Sequence, residues 1–439
     1  MDSHRAVKIK KITHGVSGDL SFPGDKSLSH RAIIFGALAE GVSSFTNVLD
    51  GEDCARTREA FRSLGVGMRS ATPAEIQITG RGLHALKAPQ KEIYLGNSGT
   101  SMRLLLGVLA GNPFRATLTG DPSLSSRPMR RVTDYLGQMG AMFEGRDGAN
   151  FAPITVRGGE LKAIEATLPV ASAQVKSAIL LAGLYARGTT SVTEPVLSRD
   201  HTENFLAHFG ARVRREGLKV SVERGRPLQA RRFEIPGDIS GAAFFMALAA
   251  LLPGSEIRFH KVLWNPTRAG MVNVLERMGA RVEVGELHCD GPEPAADFVV
   301  RGGPLKSFEI AKEELPSLID EVPVLCVLAT QAEGTTVIRD ASELRIKETD
   351  RIHSMVTALG RMGADIRAEG DTLYIKGRTA LGGAAVDSFK DHRTAMSMVV
   401  AGLVAAGDTV VEDLDCVGTS FPGFFDLLRR LGIETQFFK

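Results

Sequence analysis

Six glycines, Gly65, Gly140, Gly210, Gly279, Gly363 and Gly432, each close an amphipathic, helix-like stretch, and they recur roughly 70 residues apart along the chain. Four stand in near-identical surroundings: Met139-Gly140-Ala141, Phe209-Gly210-Ala211, Met278-Gly279-Ala280 and Met362-Gly363-Ala364. Glycine just past a helix end takes the left-handed cap conformation at little steric cost, so each marks a helix terminus. A second series, Gly41, Gly111, Gly188, Gly254, Gly334 and Gly407, closes runs that are apolar on nearly every side. A helix apolar all round is a buried helix. These runs open on polar capping residues, as in Ser27-Leu28-Ser29 before Ala32-Ile33-Ile34-Phe35 and Ser172-Ala173-Gln174 before Ala178-Ile179-Leu180-Leu181.

Between the two helices lies a short β-like stretch, such as Thr189 to Thr193 or Thr335 to Ile338. After the second helix comes a hairpin-like pair, clearest at 211–214 followed by Leu218 to Val222, where alternation of apolar and polar residues fits strands. One unit therefore reads β-α-β-α-β-β, and six of them fill an α/β chain with buried helices and outer sheets. Single cores stop growing near roughly 250–300 residues, so 439 residues fit two lobes of three units each. The sixth unit ends at Phe438-Lys439 without its last strand, while the strand-like Val7 to Ile12 belongs to no unit. The N-terminal strand is expected to complete the sixth unit. Residues 1–22 and 237–439 then form one lobe and residues 23–236 the other. The chain crosses at Pro23-Gly24-Asp25 and Pro236-Gly237-Asp238, the same tripeptide twice, and two such connections make a hinge.

Charge excludes whole classes of partner. Fifty-three Lys+Arg against 51 Asp+Glu leave +2, so no global field draws the chain to nucleic acid or an acidic membrane. The longest apolar run, Ala242 to Leu252, stops short of the ~20 residues a bilayer span needs. Met1 to Ile12 is basic but lacks the apolar core of a signal peptide. Cys54, Cys289, Cys326 and Cys416 are scattered and read as buried free thiols in a reducing compartment. The expectation is a cytoplasmic monomer with neither a metal nor an organic cofactor.

Any affinity for anions must be local, and the repeat supplies it. Burying a helix leaves its first-turn N–H groups seeking acceptors, and a helix N-terminus favours phosphate or carboxylate. If the lobes face each other at these ends, the cleft between them suits polyanionic ligands. The first-helix starts carry Lys26-Ser27-Leu28-Ser29-His30-Arg31, Asn97-Ser98-Gly99-Thr100-Ser101-Met102-Arg103, Ser172-Ala173-Gln174 with Lys176, and Asp391-His392-Arg393. The second-helix starts carry Arg127, Arg199, Arg268 and Arg351. One arginine near a helix start is ordinarily a solvated surface residue. Repetition at corresponding places, beside Gly, Ser and Thr, points instead to bidentate binding of phosphate and carboxylate. Gly99 lets a ligand approach the backbone. Asp320-Glu321 and Lys347-Glu348 read first as helix caps, and an acid beside a lysine in a cationic cleft also fits general acid-base work.

These segments together resemble the 5-enolpyruvylshikimate-3-phosphate synthase family of enolpyruvyl transferases, in its divergent bacterial branch. The resemblance rests on residues 23–31, Gly96 to Arg103, Arg127-Pro128-Met129, Ala171 to Lys176, Glu343 to Arg351 and Asp391-His392-Arg393, in that order. It implies a two-lobed inside-out α/β barrel of six βαβαββ units with buried parallel helices. It also implies transfer of the enolpyruvyl group of phosphoenolpyruvate to the 5-hydroxyl of shikimate 3-phosphate, in aromatic amino acid biosynthesis. On this resemblance, shikimate 3-phosphate is held by Lys26, Ser27, Arg31, Ser172, Ala173, Gln174, Arg199, Asp320 and Lys347. Phosphoenolpyruvate lies against Lys26, Gly99, Arg127, Gln174, Arg351 and Arg393. Asp320 is the base for the hydroxyl, and Glu348, with Lys26, protonates C3.

The chain departs from many members in having Thr419-Ser420 before Phe421-Pro422 where they carry a lysine, and in Glu343 and Leu104. Gly99 also implies a site open to glyphosate. The alternatives are the sister transferase acting on UDP-N-acetylglucosamine and a non-catalytic anion-binding protein. The first uses a loop cysteine, and none lies between Pro122 and Met129 here.

Overall fold

The computed structural model describes residues 6–438; residues 1–5 of the basic start and Lys439 lie outside them. The described residues form six sheets, each four-stranded. The third repeat shows the pattern. Strand Glu165–Thr167 leads into helix Ala173–Gly183, strand Thr189–Thr193, helix His201–His208 and the hairpin Arg212–Glu216 with Lys219–Glu223. The first two strands pair in parallel, as a helical crossover requires. The last strand lies antiparallel between the second strand and its own hairpin partner.

All six glycines of the first series have positive φ, from 76° at Gly432 to 115° at Gly140. They end the amphipathic helices as expected. Five of the second series do likewise, but Gly111 has φ −89°. A Cβ there would lie 2.1 Å from the Tyr185 ring, so this glycine serves close packing and not a left-handed turn. At the other ends, the side chains of Asp25, Ser98, Ser172, Asp238 and Asp391 accept first-turn amides of five buried helices. The remaining buried helix, Val322–Gln331, has proline in its first turn and no side-chain cap.

Strand Ala6–Ile9 lies antiparallel between Thr409–Glu412 and Gln436–Phe438, so the N-terminal strand fills the open place in the sixth sheet. The first and fourth repeats share a feature that the sequence pattern did not reveal. Strand Ser17–Ser21 runs straight into helix Lys26–Leu38 of the first repeat, yet it pairs with Glu256–Leu263 of the fourth. Arg232–Glu234, just ahead of helix Ile239–Leu251 in the fourth repeat, pairs with Glu40–Thr46 of the first. Each opening strand stays behind when the chain crosses.

The chain divides into two compact bodies. The middle body comprises Gly24–Ile235 with Cys289–Glu293. The terminal body comprises the chain up to Pro23, Pro236–His288 and from Pro294 onward. In the middle body Phe35, Phe205, Phe209 and Phe233 cluster ring against ring; in the terminal body Phe22, Phe245, Phe421 and Phe424 do so. Each fully buried phenylalanine stabilises its body by roughly 1.5–3 kcal/mol. Among the described residues no helix is long and apolar enough to cross a membrane. Cys54 and Cys326 are buried free thiols, whereas Cys416 is only half-buried and Cys289 is exposed, against the expectation for those two.

Candidate functional site

In the middle body three buried-helix starts are tied together. Arg31, buried at one turn past Lys26, donates from Nε to Thr202 Oγ1 (2.9 Å), from Nη2 to Ser177 Oγ (3.0 Å) and from Nη1 to the Ser27 carbonyl (3.0 Å). Burial brings its pKa down to about 10; Glu203, Glu293 and Asp25 oppose this, and the nearby positive charge of Arg199 adds to it. Two like charges gathered in this way favour an anionic ligand. Lys26 Nζ lies 3.1 Å from Asp53 Oδ2 and stays partly exposed. Arg127 donates to the Asn97 carbonyl (3.3 Å), to Asn97 Oδ1 and to Ser123 Oγ (3.2 Å). Gln174 accepts from Arg103 Nη1 (2.6 Å) and donates to Thr100 Oγ1 (3.0 Å). Gly99 sits under both arginines: a Cβ there would lie 2.8 Å from Arg103 Nη1 and 3.3 Å from Arg127 Nη1.

His30 links two of these helices, since its Nδ1 pairs with Thr57 Oγ1 (2.8 Å), which meets Ser101 Oγ (2.6 Å). Burial first, then the positive charges of Lys26 and Arg31, lower its pKa to about 3. Between that value and the ordinary ~6.5 only the unfolded chain binds the proton. Stability is therefore full above about pH 6.5 and falls as pH drops toward 3, by up to ~1.4 kcal/mol per pH unit. A His30→Asn variant should show a shallower acid limb, by that one-proton slope, in urea midpoints measured against pH.

In the terminal body the organising residue is Arg351, the first residue of helix Arg351–Arg361 and almost fully buried. Its Nε donates to Asp391 Oδ2 (3.0 Å), its Nη1 to Asp320 Oδ1 (3.2 Å) and its Nη2 to Glu348 Oε2 (2.8 Å). Burial opposes its charge, but the carboxylates of Asp391, Glu348 and Asp320 outweigh burial and raise its pKa above the ordinary value. Arg393 donates to the Asp320 carbonyl (3.1 Å) and faces the Asp320 and Glu321 carboxylates at 3.7 and 3.8 Å. Glu321 in turn bonds Ser240 Oγ, which accepts from Arg268 (2.8 Å). The starts of all three buried helices of this body are thereby joined.

Most residues singled out from sequence fall into these two clusters. Lys26, Ser27, Arg31, Gly99, Arg127, Ser172, Ala173, Gln174 and Arg199 belong to the middle body; Asp320, Lys347, Glu348, Arg351 and Arg393 belong to the terminal one. Lys176 departs from the reading that placed it with the anion-facing residues. It is fully buried between Glu194 Oε2 (2.6 Å) and Glu203 Oε1 (2.8 Å), so its charge is matched internally. Arg103, named with its helix start but given no substrate in the sequence reading, stands one helical turn after Gly99, a spacing that puts both on one face. Asp200, His201 and Glu293 bring potential metal-ligand atoms within 4.8 Å of one another. His201 Nδ1 already meets Glu293 (2.8 Å), and Arg215 pairs with Asp200 (3.0 Å).

Comparison with known proteins gives one consistent answer. Residues 10–428 match the family model for EPSP synthase (3-phosphoshikimate 1-carboxyvinyltransferase). The chain is 48% identical to the 3-phosphoshikimate 1-carboxyvinyltransferases of Bacillus anthracis strain A0248 and Bacillus thuringiensis subsp. konkukian strain 97-27, over 96% of this chain and 98% of each relative. A solved structure of EPSP synthase from Acinetobacter baumannii superposes with a TM-score of 0.89 at 43% identity, covering 99% of this chain and 100% of that one.

Proposed function

The chain belongs to the EPSP synthase family, and from that premise we propose how its residues divide the work. The reaction moves the enolpyruvyl group of phosphoenolpyruvate to the 5-hydroxyl of shikimate 3-phosphate and releases phosphate, a step of aromatic amino acid biosynthesis. The residues assigned to shikimate 3-phosphate are Lys26, Ser27, Arg31, Ser172, Ala173, Gln174, Arg199, Asp320 and Lys347. Phosphoenolpyruvate is held by Lys26, Gly99, Arg127, Gln174, Arg351 and Arg393. Asp320 takes the proton of the 5-hydroxyl as its oxygen bonds to C2 of phosphoenolpyruvate. Glu348, aided by Lys26, delivers a proton to C3, giving a ketal phosphate with a new methyl group. Loss of a proton from that methyl and departure of inorganic phosphate regenerate the enol double bond.

The observation that carries this division is the Arg351 guanidinium, which holds Asp320 and Glu348 on two of its nitrogens. One guanidinium thereby holds the proposed base and the proposed proton donor side by side. The test is phosphate release by the purified protein, which should require both substrates together. Release with UDP-N-acetylglucosamine in place of shikimate 3-phosphate would overturn the acceptor assignment. We place the enzyme in the cytoplasm, a reading supported by its free thiols, and take it to act as a monomer.

Gly99 yields a further expectation. A Gly99→Ala methyl must displace Arg103 and Arg127, which are tied to Gln174 and Asn97. The Michaelis constant for phosphoenolpyruvate should rise roughly tenfold, about 1.4 kcal/mol, with that for shikimate 3-phosphate little changed. Inhibition by glyphosate should weaken in parallel. A millimolar inhibition constant in the unsubstituted enzyme would reject the glyphosate reading.

A further inference from the structure

We infer that Glu194 is a positioning residue for the acceptor substrate, its carboxylate fastening the start of helix Ala173–Gly183 to the loop that carries Arg199. Glu194 follows strand Thr189–Thr193 and is buried. One of its oxygens, Oε1, accepts from the Ser172 backbone N–H (3.2 Å) and from the Ser198 hydroxyl (2.5 Å). The other, Oε2, accepts from the Lys176 ammonium (2.6 Å) and from the Ser198 backbone N–H (3.4 Å). Four donors from two separate segments thus converge on one carboxylate. Ser172 is the cap of its helix, and Ser198 immediately precedes Arg199. The frame extends to Arg31, because Ser177 of the same helix and Thr202 beyond the loop bond each other (2.6 Å) and both accept from Arg31. Ser172, Ala173, Gln174 and Arg199 therefore stand on the two segments that Glu194 joins, and Arg31, on a third segment with Lys26 and Ser27, bonds to both of them. Glu194 itself touches no substrate in this role; a charged acceptor with four donors fixes relative geometry better than any neutral side chain in its place.

The inference rests on the reading of Ser172 and Arg199 as acceptor-binding residues. Glutamine at position 194 keeps the shape but turns an amide N–H₂ toward donors, so Glu194→Gln should loosen the junction without removing it. Its Michaelis constant for shikimate 3-phosphate is expected to rise ~10-fold, with kcat and the constant for phosphoenolpyruvate within ~2-fold. Ser198→Ala, which deletes a single hydroxyl, should give a smaller rise of the same sign and covers the case in which position 194 does not tolerate glutamine. An unchanged constant for shikimate 3-phosphate in Ser198→Ala overturns the inference, as does a Glu194→Gln variant in which kcat falls and both Michaelis constants rise together. Arg199→Ala separates the two layers. If it leaves the shikimate 3-phosphate constant unchanged, the site assignment fails; if it raises that constant while the Glu194 and Ser198 variants do not, only the positioning role fails.

Discussion

Turnover of an Asp320→Asn variant is expected to fall by ~10²-fold or more, because an amide of the same shape cannot take up the 5-hydroxyl proton. Asp320 is well placed to be tested this way. Its carboxylate already accepts from Arg351 (3.2 Å) and faces Arg393 (3.7 Å), so the amide can keep the contact to one arginine and the local geometry. The Michaelis constants should change much less than kcat. Lys26→Ala should give a loss of similar size, with the constant for phosphoenolpyruvate also raised, since Lys26 is assigned to both substrates. Steady-state phosphate release at saturating substrates reads both effects. Near-normal turnover in either variant would remove that residue from the acid-base assignment.

The second large effect concerns stability. Arg351 and Asp391 are an ion pair with almost no solvent access, and Asp391 is fully buried. Replacing Arg351 by methionine strands that carboxylate, with Asp320 and Glu348 left repelling one another beside it. Breaking a buried pair by removing one partner typically costs ~3–5 kcal/mol. Arg351→Met should lose about that much in urea unfolding, besides losing activity. Asp391 also caps helix His392–Val404 through the amides of Arg393 and Thr394, a task that asparagine performs as well. Arg351→Met/Asp391→Asn should therefore regain more than half of the lost stability while remaining inactive. A single variant as stable as the parent would show that the carboxylates find other partners.

Much of the fold could be read from the chain because the repeat is written in glycine, the residue whose placement is most directly dictated by backbone geometry. The left-handed conformation after a helix leaves few other choices, so Gly65, Gly140, Gly210, Gly279, Gly363 and Gly432 mark six ends. Gly111 entered the series for another reason, the Tyr185 ring, which no local pattern records. The exchanged opening strands, Ser17–Ser21 and Arg232–Glu234, escaped notice because alternation identifies a strand and says nothing of its partner. In the candidate site, Gly99 and Ser172 were visible as small or polar residues at the starts of apolar helices, and Arg127 and Arg351 as arginines recurring at the starts of amphipathic ones. Lys176 looked the same from sequence, and only packing shows that Glu194 and Glu203 absorb its charge. Those two acids belong to no motif and carry no signal of their burial.

The place of strand Ala6–Ile9 in the last sheet bears on how the molecule is made. A ribosome delivers this strand among the first residues and its two neighbours, Thr409–Glu412 and Gln436–Phe438, among the last. The middle body has all of its residues once residue 293 has emerged, and domains generally fold as units in the order in which they are made. The terminal body cannot complete its last sheet before Thr409–Glu412 and Gln436–Phe438 have been made, so until then strand Ala6–Ile9 lacks both of its neighbours.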